Sequence, residues 1–334
     1  MSRPAFIEVG GRRVRVRVRV DGDSRNPSLK ARGAHFRSVA PPDRGHWTAM
    51  SADSEPRHRA ALEQLADAVL GAVEQAVDPD GEHIESALNS IRNRMVEFVR
   101  RYHRLQVDVE AEVLDSPVLF VANHGFGGIL DLNVMAVAAA FEDLHLDRPL
   151  TFLTHQLAWT IGVGSIVEHL GARPASRESA RAAFAEGHHV VVFPGGDLDA
   201  AKSFADRNQV VFGGRTGFAG LAIEQRVPIV PVVTAGAGES LLVLSDGERL
   251  ARAMRLDKLL RMKALPVSLS LPWGLNVGTV GMLPYLPLPT KLHTRVLPAT
   301  TAGPDEDAGA YAERVHTLMQ QALTEMTQNR PLLG

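Results

Sequence analysis

The chain has 334 residues, 45% of them hydrophobic, enough for one large core with additions or two modest ones. Its 36 Lys and Arg against 38 Asp and Glu leave a net charge of -2, which gives no basis for a nucleic-acid partner of the whole chain. It contains no cysteine, so disulfides, thiolate metal sites and cysteine nucleophiles are excluded together.

Residues 1–60 carry about two basic side chains for each acidic one, among them Arg3, Arg12, Arg13, Arg15, Arg17 and Arg19. The Arg/Val alternation of Val14–Val20 predicts an edge strand of a strand pair with a solvated arginine face, and a loose polar linker follows to Arg44. Ser2–Val9 lacks the apolar core and small-residue cleavage site of a secretory leader, so the expected compartment is the cytoplasm. Leu62, Leu65, Ala66, Val69, Leu70 and Val73 recur at helical spacing, as do Ile84, Leu88, Ile91, Met95 and Val99 after the Asp78–Gly81 turn. Two amphipathic helices are therefore expected.

Next come four short apolar runs, Val118–Ala122, Leu150–Leu153, Val190–Phe193 and Ile229–Val233, which read as strands buried on both faces. Helical patterns at Leu132–Phe141, Ser176–Glu186 and Gly217–Glu224 separate them. The alternation predicts an α/β fold with a mostly parallel central sheet covered by helices on both faces. Asp305–Thr327 adds a last amphipathic helix. The expected organisation is a basic extension over 1–48, a helical pair over 49–104, the α/β domain over 105–302, and a C-terminal helix over 303–334 packed on that domain. Ala264–Thr290 is the longest uncharged stretch, but five prolines and three glycines make it unsuitable as a bilayer span. It suits the wall of an apolar pocket or a lip resting on a membrane surface.

Chemistry concentrates in Asn123-His124-Gly125-Phe126-Gly127-Gly128-Ile129-Leu130-Asp131, directly after the first apolar strand, where open α/β sheets bind ligands. Histidine is the side chain suited to general-base work near neutrality, and a carboxylate beside it would fix its tautomer and stabilise the imidazolium. Seven residues of straight helix rise about 10.5 Å, too far for that contact. Gly125, Gly127 and Gly128 would let a loop fold back and bring Asp131 to His124. Ser176 is placed to cap a helix. His188 and His189 lie at a turn without partners at metal-ligand spacing and read as surface residues; no metal site is expected. The chain has no Gly-x-Ser-x-Gly elbow, Walker loop, complete Gly-x-Gly-x-x-Gly or His-Glu-x-x-His; Ser165 lacks the second glycine of an elbow.

Taken in order, Asn123-His124 with Asp131, then Phe193-Pro194-Gly195-Gly196-Asp197, then Val227-Pro228-Ile229-Val230-Pro231 resemble the blocks of the glycerolipid (PlsC-like) acyltransferase superfamily over roughly Val107–Pro298. Two departures stand out. Six residues separate His124 from Asp131 where the superfamily usually has four, and Gly195 replaces the glutamate of its usual Phe-Pro-Glu-Gly-Thr-Arg block. Phe-Pro-Gly-Gly followed by an acidic residue, with Gly214-Arg215-Thr216-Gly217-Phe218 further on, is more similar to the diacylglycerol and wax-ester acyltransferase-like branch. Gly195 and Gly196 also permit close backbone approach and remove charge from a pocket floor.

The resemblance implies transfer of a fatty acyl group from an acyl thioester, of coenzyme A or an acyl carrier protein, to a hydroxyl of a lipid or alcohol. His124 would be the base and Asp131 its partner, with no cofactor. Asn123, Gly125, Gly127, Gly128, His155, Gly195, Gly196, Asp197 and Arg215 would form the substrate site, with backbone N–H groups near Gly195 and Gly196 receiving the oxyanion. Arg215 has two readings, a clamp on a phosphate or a bridge to Asp197 or Asp199; His155 either shapes the acceptor site or is simply hydrogen-bonded in place. The expected location is cytoplasmic and peripheral, at the inner face of the membrane. A hydrolase using the same pair on water and a non-catalytic lipid-binding protein are the alternative expectations, and the oligomeric state is left open.

Overall fold

The computed structural model describes residues 5–9, 12–16, 82–111, 116–125, 131–154, 168, 171–248, 252, 266–270, 273–277 and 285–334. Its chain divides into two compact units, Met1–Ala49 and Met50–Gly334. In the first, β1 (Ala5–Val9) pairs antiparallel with β2 (Arg12–Val16), so the expected strand pair forms; residues 17–20 lie outside the described residues. The helix expected over residues 62–73 also lies outside them.

The second unit opens with α1 (Glu82–Tyr102), whose side chains are described from Ser90 onward. Met95, Phe98, Val99 and Tyr102 recur on one face and are buried. The sheet comprises β3 (Gln106–Val109), β4 (Leu119–Ala122), β5 (Leu150–Thr154), β6 (Ala172–Pro174), β7 (His189–Val192), β8 (Ile229–Ala235) and β12 (His293–Val296). Its order is β3-β12-β8-β4-β7-β5-β6. Strands β8, β4, β7, β5 and β6 run parallel, while β12 lies antiparallel to β8 and carries β3 parallel to itself.

The alternation of side chains along each strand accounts for the layers. Leu119, Val121, Val190 and Val192 point to one face, against α3 (Arg177–Ala185), α5 (Gly217–Gln225) and α6 (Ala308–Thr327). Phe120, Ala122, Val191, Val230 and Val232 point to the other, against α2 (Leu132–Leu144). Beneath α2, Leu132 and Ala136 meet Phe98, Val99 and Tyr102 of α1. Burying one such Leu, Val or Phe contributes about 1.5–3 kcal/mol, so a one-residue slip of β4 would exchange the occupants of both layers at prohibitive cost. The mostly parallel sheet with helices on both faces is thus as expected.

Ser176 caps α3 by accepting from the Ser179 N–H at 3.0 Å. His189, expected at the surface, is instead 2% exposed within β7. Its Nδ1 accepts the Val118 N–H at 3.2 Å, and burial holds its pKa below the ordinary value. The polar side chain lies inside because it supplies an acceptor that the start of β4 needs.

A second, three-stranded antiparallel sheet lies within the uncharged stretch and just before it: β9 (Leu242–Ser245), β10 (Val267–Ser270) and β11 (Gly274–Val277), with β10 in the centre. Five-residue α4 (Gly196–Ala200) follows β7.

Candidate active site

Because β4, β7 and β8 are parallel neighbours, the chain leaves all three at one edge of the sheet. After β4 it runs to β5, beyond β7; after β7 it runs to β8, on the other side of β4. Such a switch opens a crevice at the carboxyl ends of the strands, and Asn123-His124 occupies it.

Asn123 is 2% exposed, and both ends of its amide bind β8: Oδ1 accepts the Thr234 N–H at 2.9 Å and Nδ2 donates to the Thr234 carbonyl at 3.0 Å. The Asn133 amide in turn donates to the Asn123 carbonyl at 2.9 Å. Asn123 therefore positions the loop, with its Oδ1 and one Nδ2–H engaged on β8. Gly125 is buried, and a Cβ there would lie 2.7 Å from the Ala237 Cβ and 3.1 Å from Asn133 Oδ1. Its glycine is required for close approach.

His124 Nδ1 lies 2.6 Å from Asp131 Oδ2. Asp131 Oδ1 accepts the Asn133 N–H at 2.9 Å, which caps α2. One carboxylate thus serves two tasks, and the helix start holds it in place for the histidine. The side chains of His124 and Asp131 are 19% and 8% exposed. With Nδ1 donating to the carboxylate, Nε2 carries the free lone pair and no described residue hydrogen-bonds to it. The Phe193 ring flanks the imidazole at 4.6 Å between centroids.

Below the histidine sits a buried ion pair that sequence reasoning missed. Asp199 and Lys202 are within 2.6 Å, with side chains 1% and 6% exposed. Asp199 Oδ2 accepts the His124 N–H at 2.6 Å, and Lys202 Nζ donates to the His124 carbonyl at 3.0 Å. The pair holds the histidine's backbone from both sides. Its remaining bonds are satisfied by the Val211 N–H and the Gln209 carbonyl. The available signal was an acid and a base three apart directly after Phe-Pro-Gly-Gly.

Gly195 gains its reason from Asp199: a Cβ at 195 would overlap the Asp199 Cβ and the Val211 carbonyl. A glutamate at this position is sterically excluded while Asp199 holds its place. A buried ion pair, which the sequence reading did not foresee, lies under this loop. Among the backbone N–H groups near Gly195 and Gly196 expected to receive the oxyanion, that of Gly196 donates to the Phe193 carbonyl at 3.1 Å in the turn. Gly196 has φ +51° and passes beside the Arg215 guanidinium.

Arg215 bonds to Asp197 Oδ1 at 2.9 Å, to the Pro194 carbonyl at 2.9 Å and to the Gly195 carbonyl. Of its two readings the bridge to Asp197 is the one the structure contains. His155, Gly127 and Gly128 lie outside the described residues. Tyr285, also missed, is held by burial at a pKa of about 12; a Ser240 hydrogen bond opposes the shift and the negative charge of Asp131 adds to it. The described residues contain no group of three or more His, Cys, Asp or Glu side chains that could hold a metal ion.

Comparison with known proteins matches this arrangement. Residues 98–235 match the family model Acyltransferase, from the last turn of α1 to the end of β8 with both motif loops between. An uncharacterized protein of Mycobacterium tuberculosis is 31% identical over 241 residues, 69% of this chain and 63% of that protein, so the match spans less than two thirds of the relative's own length. The "DGAT1/2-independent enzyme synthesizing storage lipids" of Gallus gallus is 25% identical over 169 residues, 50% of this chain and 48% of that protein. Among solved structures, the 1-acyl-sn-glycerophosphate acyltransferase PlsC of Thermotoga maritima aligns with a TM-score of 0.44 at 14% identity, covering 83% of this chain and 98% of that one. With the motif blocks in order at one edge of the sheet and the family model spanning them, the segment 98–235 is what this chain shares with the Acyltransferase family.

Proposed function

We propose that the protein transfers a fatty acyl group from an acyl thioester to a hydroxyl, with His124 as general base. The observation that carries the reading is the 2.6 Å contact of His124 Nδ1 with Asp131, which leaves Nε2 as the acceptor of a proton at the mouth of the crevice. The acceptor O–H gives its proton to Nε2 as its oxygen attacks the thioester carbonyl carbon. Asp131 stabilises the imidazolium, and the tetrahedral intermediate collapses with loss of the thiolate, which takes the proton from Nε2. No covalent acyl-enzyme is needed.

Neutral hydroxyls are the favoured acceptors. The Arg215 guanidinium is paired with Asp197 and two backbone carbonyls, and Gly195 offers no side chain to the site. The Gallus gallus relative, whose name refers to storage lipids, supports the same direction. The donor carrier is coenzyme A or an acyl carrier protein.

The test is acceptor dependence. Purified full chain is given palmitoyl-coenzyme A alone, then with a long-chain alcohol, diacylglycerol, glycerol 3-phosphate or lysophosphatidate, and free thiol is followed. The reading requires thiol release that rises with a neutral acceptor and is slow without one. Rapid release in buffer alone would identify a hydrolase acting on water instead.

A further inference from the structure

The stretch that follows α6 folds back onto the turn leaving β8, and a second buried ion pair joins the two. Arg330 and Glu239 have side chains 8% and 4% exposed. The Arg330 guanidinium donates to both Glu239 carboxylate oxygens at 3.2 Å, to Thr290 Oγ1 at 3.1 Å and to the Lys291 carbonyl at 2.5 Å. Glu239 Oε2 also accepts the Leu333 N–H at 2.8 Å, and the Leu333 carbonyl accepts the Lys291 N–H at 2.9 Å. Leu333 is held at φ +67°, a left-handed conformation that leucine keeps only where its surroundings fix it. Gly236 opens the turn at φ +99°, and a Cβ there would overlap the Lys291 carbonyl oxygen and crowd the Arg330 guanidinium.

The turn fixed in this way bears on the site. Ala237 belongs to the buried cluster of Leu132 and Ala136, and its Cβ stands 2.7 Å from where a side chain on Gly125 would begin. Gly125 follows His124 and Leu132 follows Asp131, so one methyl group packs beside both members of the pair. The Asp199–Lys202 pair grips the peptide groups of His124 itself; the turn limits the residue after it. A buried ion pair is weak ground for stability, because a well-packed neutral replacement of both partners is often no less stable. What the planar guanidinium supplies is direction: it fixes the 236–240 turn, Thr290–Lys291 and the stretch after α6 in one geometry. We infer that Arg330, with Glu239, is a positioning residue for the His124–Asp131 pair, acting through Ala237. A displacement of about 1 Å at a catalytic pair costs about a hundredfold in rate even when its cause lies far away. The brace stands on the contacts; its effect on turnover rests on the acyl-transfer reading.

The test uses the full chain with Glu239→Gln and Arg330→Met together, which removes both charges and leaves neither partner buried alone. With palmitoyl-coenzyme A and a long-chain alcohol, kcat should fall about 10–100-fold, while KM for the thioester stays within about twofold and melting temperature within a few degrees. Ala237→Gly, which deletes the methyl and keeps the ion pair, should reproduce the loss of kcat. In an Asp131→Asn background the paired Glu239 and Arg330 changes should cost less than about threefold, because the pair they position is already broken. Wild-type kcat in either variant overturns the inference, and so does an undiminished loss in the Asp131→Asn background, which marks a general weakening of the fold. Hydrogen exchange reads the brace without any reaction. In the double variant the His124 amide, bonded to Asp199, should exchange at least about tenfold faster with the β7 amides unchanged. A uniform rise across the sheet, or none at His124, overturns the inference. An Asp131→Asn protein as fast as wild type overturns acyl transfer by this pair instead, and the exchange result then decides the brace alone.

Discussion

His124 reaches Asp131 because the carboxylate is fixed first by its own helix. Asp131 caps α2 through Oδ1 and gives Oδ2 to the histidine, so the two roles can be separated by substitution. Asparagine is as good an N-cap as aspartate but carries no charge for the imidazolium. Asp131→Asn should therefore lower kcat/KM about 10²–10⁴-fold with little change in melting temperature, whereas Asp131→Ala should add a stability loss of about 1 kcal/mol, read by denaturant titration. Equal losses of stability in the two variants would contradict the division of labour. The histidine and its carboxylate were legible in the sequence from residue type and from their place after a buried strand. The supports were not. Asn123, Asn133, Asp199 and Lys202 act through backbone groups of residues on other elements, and such long-range pairings leave no local pattern.

At the scale of elements, β4, β7 and β8 and the helices between them were legible because burial on both faces makes continuous apolar runs; β5 was legible as an apolar run although only Thr151 in it is fully buried. Strands β3, β6 and β12 were not, since they are short and carry Gln106, Asp108, Arg173, His293 and Arg295. Strands β10 and β11 were hidden for another reason: Ser and Asn point inward and Leu outward, so the usual polarity rule fails there. The loop between β7 and α4 shows what the motif alone could not. Gly195 is set by the space that Asp199 fills, and Gly195→Ala should destabilise the protein by about 1–3 kcal/mol and misplace the clamp on His124. Denaturant midpoints and activity measured on the same preparation check this; an alanine variant with wild-type stability and rate would remove Asp199 as the reason for the glycine.

The whole molecule carries three tyrosines, Tyr102, Tyr285 and Tyr311, and burial raises the pKa of each from 10.0 to about 12. A raised folded-state pKa contributes stability that is complete below the unfolded value and lost as pH climbs through the folded one. Alkaline unfolding is thus expected between pH about 10 and about 12, with tyrosinate absorbance rising together with loss of circular dichroism. Tyrosines that ionise near pH 10.0 in an intact fold would contradict that burial. The same packing sets three strand ends at one edge of the sheet, where a single histidine meets its carboxylate. The most direct measurement of that claim is ester formation from palmitoyl-coenzyme A and a neutral lipid alcohol, followed by mass spectrometry for wild type and His124→Ala. Ester should form with wild-type protein and fall by about 10²-fold or more in the variant at unchanged melting temperature. A variant that makes ester at the wild-type rate would contradict the account.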